Sequence, residues 1–509
     1  MALEKLEYPA TGTVTESWSP TRNPSFAGAP RRDDLGIVTD LSAGNQAYNY
    51  GRALWTEILT RAYRSLAESE KYAFKNFART VGADKFKFTD DRGIPWKAQF
   101  QEFERDYLPV RGDRYDLAFA LRAELKPHPT LKKIPAKYHK DLLFYVPLDS
   151  NLDAFSRWDS AATFARAGTA TYKDATTGLI KSAAANTARF ETNGLLMERA
   201  RTNSCLRSEE FDHAAWAKTT MTVAANDGGS TDPAGTNTAE LLTATAANAT
   251  IIQDLGVIAS ASKIYSIYLK RKTGTGDVQI TLDNGVGWTT VTISSSAWTR
   301  VAKVQTLADP DVGIRLITNG DEIWAWGAQL ENSVAYATSY IPTTSAAVTR
   351  NAETLTFTIA GHFLETLGSF FIGADLLDVD LSAGAVIFAG ADDGDSSDAH
   401  YFETSATNPA RPRYLINRAS SAEADIIAAP AADDFVAATR KILAASFKSN
   451  DAQFYSSGAN RGSDATVTLP AGLTRIALGL SNFTGHLGQL CVFARALTAT
   501  EISEIGDGL

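Results

Sequence analysis

Several aromatic side chains lie where the chain is predicted to turn or to begin a strand. Trp216 lies in a predicted loop, Trp288 follows the turn-forming segment 283–285, and Trp298 begins a predicted strand, with Tyr268 nearby in sequence. Flat aromatic faces stack on pyranose rings, and planar Asn, Asp, Gln and Arg side chains hydrogen-bond the hydroxyls around them. These four residues are therefore candidate carbohydrate-binding residues, although a tryptophan in a β-sandwich more often belongs to the core.

A cluster of carboxylates occupies one short segment, ADDGDSSDAHY. It contains Asp392, Asp393, Asp395 and Asp398. Short acidic loops with glycine bind calcium through oxygen ligands. The spacing is not that of an EF-hand, and a solvated loop is the alternative. We name these four residues as a candidate calcium site and expect no other cofactor.

The sequence contains no motif of a known catalytic chemistry. It has no Gly-rich phosphate loop, no Gly-x-Ser-x-Gly elbow, no His-Glu-x-x-His and no Cys-x-x-Cys, and its 6 histidines are scattered singly. A glycosidase needs two carboxylates across a cleft, but 58 acidic residues make chance pairs too common for spacing to identify them. We therefore expect a protein that is not an enzyme.

Composition and charge exclude several classes of protein. The 509 residues, 44% hydrophobic and 21% charged, are ordinary for globular domains, and at about 150 residues each they predict three or four. A net charge of -9 argues against nucleic acid as a partner. No run approaches the ~20 apolar residues of a membrane span, so no membrane insertion is expected. Cys205 and Cys491 fall in different predicted modules, which excludes a disulfide framework and fits folding in a reducing cytoplasm.

The first 125 residues are predicted to form a small α+β domain. A Pro-rich extended arm, with one strand around 12–18, precedes apolar positions at helical spacing between Tyr48 and Leu66. A second helix is predicted from Ser65, with Phe74 and Phe77 facing inward, and strands ending in an alternating one follow. Residues 126–140 carry three prolines and five lysines and are predicted to be a stiff, solvated basic linker.

The rest of the chain reads as two antiparallel β-sandwiches, 141–350 and 351–509. Short β-rich runs alternate with Gly-, Asn- and Asp-containing turns in both. In the run from Glu322 to Leu330, period-2 alternation predicts that Trp324 and Trp326 share one face with Ala328 and Leu330. The predicted fold is thus multidomain and mainly β.

Three segments together resemble a known module. They are FARAGTATYKDATTGLIKSAAANTARF (Phe164 to Phe190), GLLMERARTNSCLRSEEFDHAAW (Gly194 to Trp216) and DEIWAWGAQLENSVAYATSYIPTTSAAVTR (Asp321 to Arg350). This set resembles a module common in tailed-bacteriophage tail and virion proteins, which is similar to carbohydrate-binding jelly rolls. The resemblance covers about residues 150 to 350 and implies a jelly-roll fold there.

Two further resemblances cover the ends of the chain. The closing segment GHLGQLCVFARALTATEISEI resembles the last strand and short helix of laminin-G-like or concanavalin-like sandwiches, with Thr498 or Thr500 as the helix cap. The segment WTEILTRAYRSLAESEKYAFKNFARTVGADKFKFTDDRG and the strands after it resemble the ring-forming domains of tail-tube and distal-tail proteins in long-tailed phages. This implies an N-terminal domain that assembles with other virion proteins.

Together these resemblances imply a structural protein of a phage tail. Its N-terminal domain would anchor it to other tail or virion proteins, and its sandwiches would bind host cell-surface polysaccharide. A homo-oligomer located in the virion and synthesised in the host cytoplasm is expected. Two alternatives stay open: the sandwiches contact only neighbouring virion proteins in the tail or on the head, or the chain is a surface-glycan hydrolase.

Overall fold

The computed structural model describes residues 133–509 with short gaps, and parts of the region before them. The gaps are 153, 157–161, 333–335, 378–385, 396, 406, 408–409, 430–432 and 481. Before residue 133, the described residues are 5–8, 16–18, 26–27, 31–33, 55–81, 86–89, 95–100, 106–111 and 114–125. Mainly β structure fills these ranges, as the sequence predicts.

An antiparallel sheet with one packed helix forms the N-terminal domain. Its strand order is β2-β1-β6-β7-β9-β5-β3, with β4 paired to β5 and β8 paired to β9. Phe74 and Phe77 of the helix are buried and contact Phe100 and Phe86 edge to face. The elements are β1 (Lys5–Tyr8), β2 (Glu16–Trp18), β3 (Phe26–Ala27), β4 (Arg31–Asp33), β5 (Trp55–Ala67), α1 (Glu68–Val81), β6 (Phe86–Thr89), β7 (Pro95–Phe100), β8 (Asp106–Arg111) and β9 (Arg114–Leu125).

The first predicted helix, 48–66, is wrong over its described part. Residues 55–67 form strand β5, which pairs with β9 on one side and with β3 and β4 on the other. Its β-branched residues Thr56, Ile58 and Thr60 alternate, which suits a strand, and the apolar positions fit either period. The predicted arm is also partly integrated, because β1 pairs with β6 of the same chain.

The second half of the predicted linker packs against the end of the chain, although Lys133 and Lys137 stay exposed. A 3-10 helix spans Ala136–Asp141. Ile134 and Tyr138 are buried, and the Tyr138 hydroxyl and the Lys137 ammonium both contact Glu504 near the end of the chain. Ile134 and Tyr138, four residues apart, therefore hold this segment against the end of the chain, where Tyr138 contacts Glu504 of the C-terminal helix.

The remaining elements follow in chain order. Before the jelly roll are β10 (Leu142–Val146), β11 (Phe155–Ser156), β12 (Thr163–Ala165), β13 (Ala170–Lys173), β14 (Ile180–Ala183), β15 (Arg189–Glu191) and β16 (Gly194–Met197). The jelly-roll region has β17 (Arg201–Asn203), β18 (Ala217–Thr219), β19 (Met221–Ala224), β20 (Glu240–Ala244), β21 (Ala249–Asp254), β22 (Ala261–Thr273), β23 (Val278–Thr281), β24 (Thr289–Val291), β25 (Thr299–Leu307), β26 (Asp311–Leu316), β27 (Glu322–Asn332) and β28 (Val348–Arg350). The last part has β29 (Thr354–Thr358), β30 (Leu367–Leu376), β31 (Ile387–Asp392), β32 (Ala399–Thr404), β33 (Pro412–Arg418), β34 (Ser421–Ile427), β35 (Lys441–Lys448), β36 (Asp451–Ser456), β37 (Ala459–Asp464), β38 (Arg475–Leu478), β39 (Gly485–Phe493) and α2 (Ala499–Gly506).

Residues 201–350, called the jelly roll here, form a sandwich of two five-stranded antiparallel sheets. The orders are β18-β21-β26-β23-β24 and β19-β20-β27-β22-β25. Tyr265, Ile267 and Leu269 point between the sheets, as do Ile314 and Leu316. Strands β17 and β28 pair with each other where the chain enters and leaves the sandwich.

The second sandwich, called the terminal sandwich here, is built from both sides of the jelly roll in sequence. Strand β10 pairs with β39, β16 also pairs with β39, and β12 pairs with β29. The predicted boundaries 141–350 and 351–509 therefore do not follow the strand pairing. Strands β10, β11, β12, β15 and β16 belong to the sheets of the terminal sandwich, the hairpin β13–β14 forms a two-stranded sheet of its own, and the jelly roll is inserted between β16 and β29 in sequence. The prediction grouped strands that are adjacent in sequence, whereas these strands pair with partners distant in sequence.

The cap of α2 is Thr498, which forms a capping box with Glu501. Of the two predicted cap residues, Thr498 and Thr500, the first is therefore correct.

A β-bulge divides strand β27 into two phases. Its pairing with β22 shifts register between Ser266 and Tyr268, and Gly327, opposite this shift, has φ +68°. Trp324 and Trp326 consequently lie on the outer face of the sheet, whereas Ala328 and Leu330 point into the core. The prediction that all four share one face is wrong because one extra residue reverses the alternation.

None of the helices that the structure describes is long and apolar enough to span a membrane.

Candidate functional site

A cleft of about 170 Å³ opens on the outer face of the jelly-roll sheet that contains β22. Tyr268 of β22 and Arg300 of β25 form one wall, and the hairpin β13–β14 contributes Tyr172 to the other. The rest of the lining comes from Thr171, Lys173, Ile180, Glu191, Leu196, Glu198, Tyr336, Thr338, Ser339, Tyr340 and Leu377. Jelly roll and terminal sandwich thus both contribute to the cleft.

Arg300 is held in a fixed orientation in this wall. It pairs across strands with Tyr268, and its guanidinium carbon lies 5.3 Å from the centre of the tyrosine ring. Nη1 donates to the Thr338 carbonyl at 2.7 Å, and Nη2 donates to the Ser266 hydroxyl at 3.1 Å. A guanidinium stacked on a ring and hydrogen-bonded at both ends loses little further entropy on binding a ligand.

Three tyrosine rings give the cleft its aromatic surface. Tyr336 at the rim is 36% exposed, and Tyr172 and Tyr268 are half-buried. Tyr340 at the floor is buried against Trp326, with the ring centres 4.6 Å apart. The cleft therefore combines accessible ring faces with a rigid aromatic base, an arrangement that suits a ring-shaped polar ligand.

A buried ionic network supports the floor. Glu198 lies 2.8 Å from Arg189 and 3.2 Å from Arg350, and it accepts hydrogen bonds from the backbone and hydroxyl of Ser339. Glu353 pairs with Arg189 and Arg166, both at 2.6 Å. Each of these buried charges has a partner, so the network fixes Ser339 and its neighbours without leaving an uncompensated carboxylate.

The environment of Glu198 keeps this carboxylate ionised. Burial alone raises its pKa, but the nearby Arg350 and Arg189 and the Ser339 hydrogen bonds outweigh burial and lower the pKa to about 2. Glu198 therefore carries a negative charge at neutral pH.

A second buried set of charges contacts Glu191 of the lining. His486 of β39 is 2.9 Å from Asp375 and 3.2 Å from Glu191, whose other oxygen accepts from the Lys173 backbone N–H. Burial lowers the pKa of His486, but the two carboxylates outweigh it and raise the pKa to about 9. The imidazolium therefore joins Glu191 of β15 to Asp375 of β30 at neutral pH.

Only one of the four predicted carbohydrate-binding residues, Tyr268, lines the cleft. Trp216 is 1% exposed, packs against Phe211 and donates from its indole nitrogen to the Arg207 carbonyl at 3.1 Å. Its assignment as a binding residue is therefore wrong. The loop it was predicted to occupy folds inward, and a carbonyl there satisfies the indole nitrogen.

Trp298 and Trp288 lie elsewhere on the jelly roll. Trp298 is partly buried beside the outer aromatic cluster of Trp324 and Trp326, and its nitrogen donates to the Thr231 carbonyl at 2.8 Å. Trp288 lies on the opposite sheet, partly exposed, with the Arg315 guanidinium 4.5 Å from its ring centre. The structure therefore does not bring the four residues together.

The four acidic residues of the predicted calcium loop do not form a ligand set. Asp392 is buried and pairs with Arg475 at 2.6 Å while accepting from the Tyr401 hydroxyl. Asp393 accepts from the Ser397 hydroxyl. Among the described residues, no three of these carboxylates come within 4.8 Å of one another, whereas Asp254, Asp309 and Asp311 do. The structure therefore does not gather Asp392, Asp393, Asp395 and Asp398 into one ligand set, and calcium binding there stays a prediction.

Four important lining residues escaped the sequence analysis: Tyr172, Glu191, Arg300 and Tyr336. Tyr172 and Tyr336 lie in the segments that carry the virion-module resemblance, and Arg300 lies in a predicted strand. Membership of these segments was the signal that could have identified Tyr172, Tyr336 and Arg300. The pairing of strands distant in sequence brings them to one cleft.

Comparison with known proteins gives no family. No family model and no curated protein matches the chain. Among solved structures, domain 4 of an extracellular arabinanase from Geobacillus stearothermophilus has a TM-score of 0.24 at 14% identity, over 34% of this chain and 82% of that one. A carbohydrate-binding module of a Ruminococcus gnavus sialidase has a TM-score of 0.24 at 11% identity, over 29% and 88%.

The receptor-binding domain of botulinum neurotoxin type G has a TM-score of 0.25 at 13% identity, over 31% of this chain and 40% of that one. The neighbours thus include carbohydrate-binding modules and other binding domains. Likeness at these scores supports no inference about the function of this chain.

Proposed function

We propose that this chain is a structural protein of a phage tail whose jelly-roll cleft binds host cell-surface polysaccharide. The observation that carries this proposal is the cleft itself, which is lined by three partly exposed tyrosine rings and by a guanidinium held by stacking and hydrogen bonds. Sugar recognition requires this combination of flat apolar faces and planar hydrogen-bonding groups. The N-terminal domain would join the chain to other virion proteins.

The virion role rests on the resemblance of the three segments, and the structure gives those segments a physical meaning. Glu198 and Asn203 from one segment contact Ser339 and Ile341 from another, and Arg189 from the third joins Glu198. The resembling residues thus build the floor of the cleft and the junction beneath it.

Adhesion through such a cleft gains strength from repetition. A single shallow site binds sugar with a Kd of about 1 mM, or about 4 kcal/mol. Several copies on a symmetric tail raise the avidity by roughly 10²- to 10⁴-fold through effective concentration. A homo-oligomer in the tail would therefore capture a host surface reversibly from individually weak contacts.

Binding without hydrolysis fits the electrostatics of the cleft. A glycosidase needs one carboxylic acid with a raised pKa opposite a second carboxylate. Glu198 instead has its pKa lowered to about 2, and Arg189 and Arg350 hold it in place. Glu198 is therefore unsuited to be the general acid in this cleft, which supports the proposal that the cleft binds sugar.

The test is binding of the full-length chain to a panel of host-surface polysaccharides, with Tyr268→Ala and Tyr336→Ala as cleft variants. Loss of a stacking contact of ~0.5–1.5 kcal/mol predicts roughly 2- to 10-fold weaker binding for each. Trp288→Ala, on the opposite sheet, is the matched aromatic control and should bind normally.

Either of two results would reject this assignment. Weaker binding by Trp288→Ala but not by Tyr268→Ala would move the site to the other sheet. Absence of binding by the folded, artificially multimerised chain would leave the alternative, in which the sandwiches contact only neighbouring virion proteins.

A further inference from the structure

The charges around the cleft do not cancel, and their imbalance identifies the class of ligand. Two carboxylates line the cleft, Glu191 and Glu198. Glu198 belongs to a buried set in which Arg166, Arg189 and Arg350 face Glu198, Glu353 and Glu331. Three guanidinium groups thus compensate three carboxylates, and this set presents no net charge to a ligand.

Glu191 is compensated from the terminal sandwich. His486 contacts both Glu191 and Asp375, and the Arg440 guanidinium lies near enough to Asp375 to interact with it electrostatically. With the pKa of His486 raised to about 9, this set holds two positive and two negative groups at neutral pH. It too leaves no net charge.

The two remaining charged groups of the lining are both positive. They are Arg300 and Lys173. Within the part of the chain that the structure describes, no carboxylate lies within ion-pair distance of either group. Arg300 donates one hydrogen bond from each terminal nitrogen, to Thr338 and Ser266. Each of these nitrogens carries a second N–H, for which the described residues supply no acceptor.

We propose that the cleft selects a carboxylate-bearing sugar, such as a uronic or sialic acid residue, with its carboxylate on Arg300 and Lys173 nearby. This inference rests on the adhesion function proposed above and adds the chemical class of the glycan. A planar carboxylate matches the geometry of a guanidinium, and the ring of the same sugar reaches the tyrosine faces beside it. Neutral sugars would leave both cations without a partner.

The experiment compares one polysaccharide in two chemical states. A glucuronic-acid-containing polysaccharide and its carboxyl-reduced derivative have the same rings and linkages but differ in charge. The full-length chain should bind the acidic form roughly 10-fold or more tightly, as expected for a charge-assisted hydrogen bond. Raising the ionic strength from about 0.05 to about 0.5 M should weaken binding of the acidic form alone.

Three variants locate the effect. Arg300→Gln should reduce binding of the acidic form to the level of the reduced form, and Lys173→Gln, at an exposed position, should weaken it by a smaller factor without affecting the fold. Lys270→Gln is the matched control. It removes the same charge from the same sheet, but Lys270 contacts Trp324 and Ser230 outside the cleft and should have no effect.

The possible outcomes separate this inference from the function on which it rests. Equal binding of the acidic and reduced forms, with both weakened by Tyr268→Ala, would overturn the carboxylate inference and leave adhesion intact. Equal loss of acidic binding in Lys270→Gln and Lys173→Gln would also overturn it, since attraction would then come from the net charge of the surface. If the folded chain binds neither form and no other polysaccharide of the panel, the adhesion function itself is rejected.

Discussion

Four of the five tryptophans of the jelly roll donate a hydrogen bond from the indole nitrogen to an acceptor in the same domain. Trp216, Trp298, Trp324 and Trp326 donate to Arg207, Thr231, Asp227 and Thr238, respectively. Trp288 has no such acceptor among the described residues. Since a buried indole nitrogen needs a partner, these bonds allow four large rings to be covered by the protein itself and leave the tyrosines to face the cleft.

This arrangement predicts different costs for two tryptophan substitutions. Trp216→Ala removes a fully buried ring from the core and should lower the free energy of unfolding by about 3–5 kcal/mol. Trp288→Ala removes a partly exposed ring and should cost about 1 kcal/mol or less. Urea unfolding of the jelly roll, followed by fluorescence of the remaining tryptophans, measures both. Similar costs for the two variants would contradict the burial assigned to Trp216.

The buried ionic network under the floor of the cleft connects several strands. Glu198 follows β16, Arg189 begins β15, Arg350 ends β28 and Glu353 precedes β29. The network therefore joins the ends of four strands that enter or leave the jelly roll. Buried ion pairs of this kind add little net stability, but removing one partner is costly, so they define where the strand ends must lie.

The network should make stability depend on acid pH. The pKa of Glu198 is lowered from its ordinary 4.5 to about 2 in the folded protein. A lowered carboxylate pKa stabilises the fold above the ordinary value, and this contribution is lost as pH falls from 4.5 through 2. At 1.36 kcal/mol per unit, the contribution is about 3 kcal/mol.

Glu198→Gln isolates this effect, because glutamine cannot titrate. The difference in unfolding free energy between the native chain and Glu198→Gln should be largest near neutral pH and should shrink between pH 4.5 and 2. Urea titrations at several pH values measure it. A difference that stays constant over this range would show that the ionised form of Glu198 contributes nothing.

The whole molecule contains one sandwich inserted into another. Strands β10, β11, β12, β15 and β16 precede the jelly roll in sequence, and they belong to sheets whose other strands lie beyond residue 353. The ends of the insertion are adjacent, because Arg201 pairs with Arg350 and Asn203 with Val348. A chain that enters and leaves at neighbouring points can carry an insertion without disturbing the host domain.

Insertion predicts how the chain can be divided. The fragment 351–509 alone should fail to fold, since it leaves β39 and β29 without β10, β16 and β12. Residues 133–203 joined to 348–509 by a short Gly-Ser linker should fold cooperatively. Far-ultraviolet circular dichroism and thermal melting distinguish the two. A stable, cooperative 351–509 fragment would contradict the shared sheets.

The sequence alone determined those features that depend on near neighbours. Alternation and turn residues predicted strands in both sandwiches, the spacing of Phe74 and Phe77 indicated helix α1, and the closing segment indicated helix α2 with its cap narrowed to Thr498 or Thr500. Each of these depends on contacts within a few residues, which the local pattern records.

Tertiary structure alone decided the rest. The bulge at Gly327 reverses the faces of β27, pairing with β9 turns a helical pattern into β5, and the inserted topology brings Tyr172, Arg300 and Tyr336 to one cleft. Each outcome depends on a partner distant in sequence, and a local pattern compatible with two states cannot choose between them until that partner is in place.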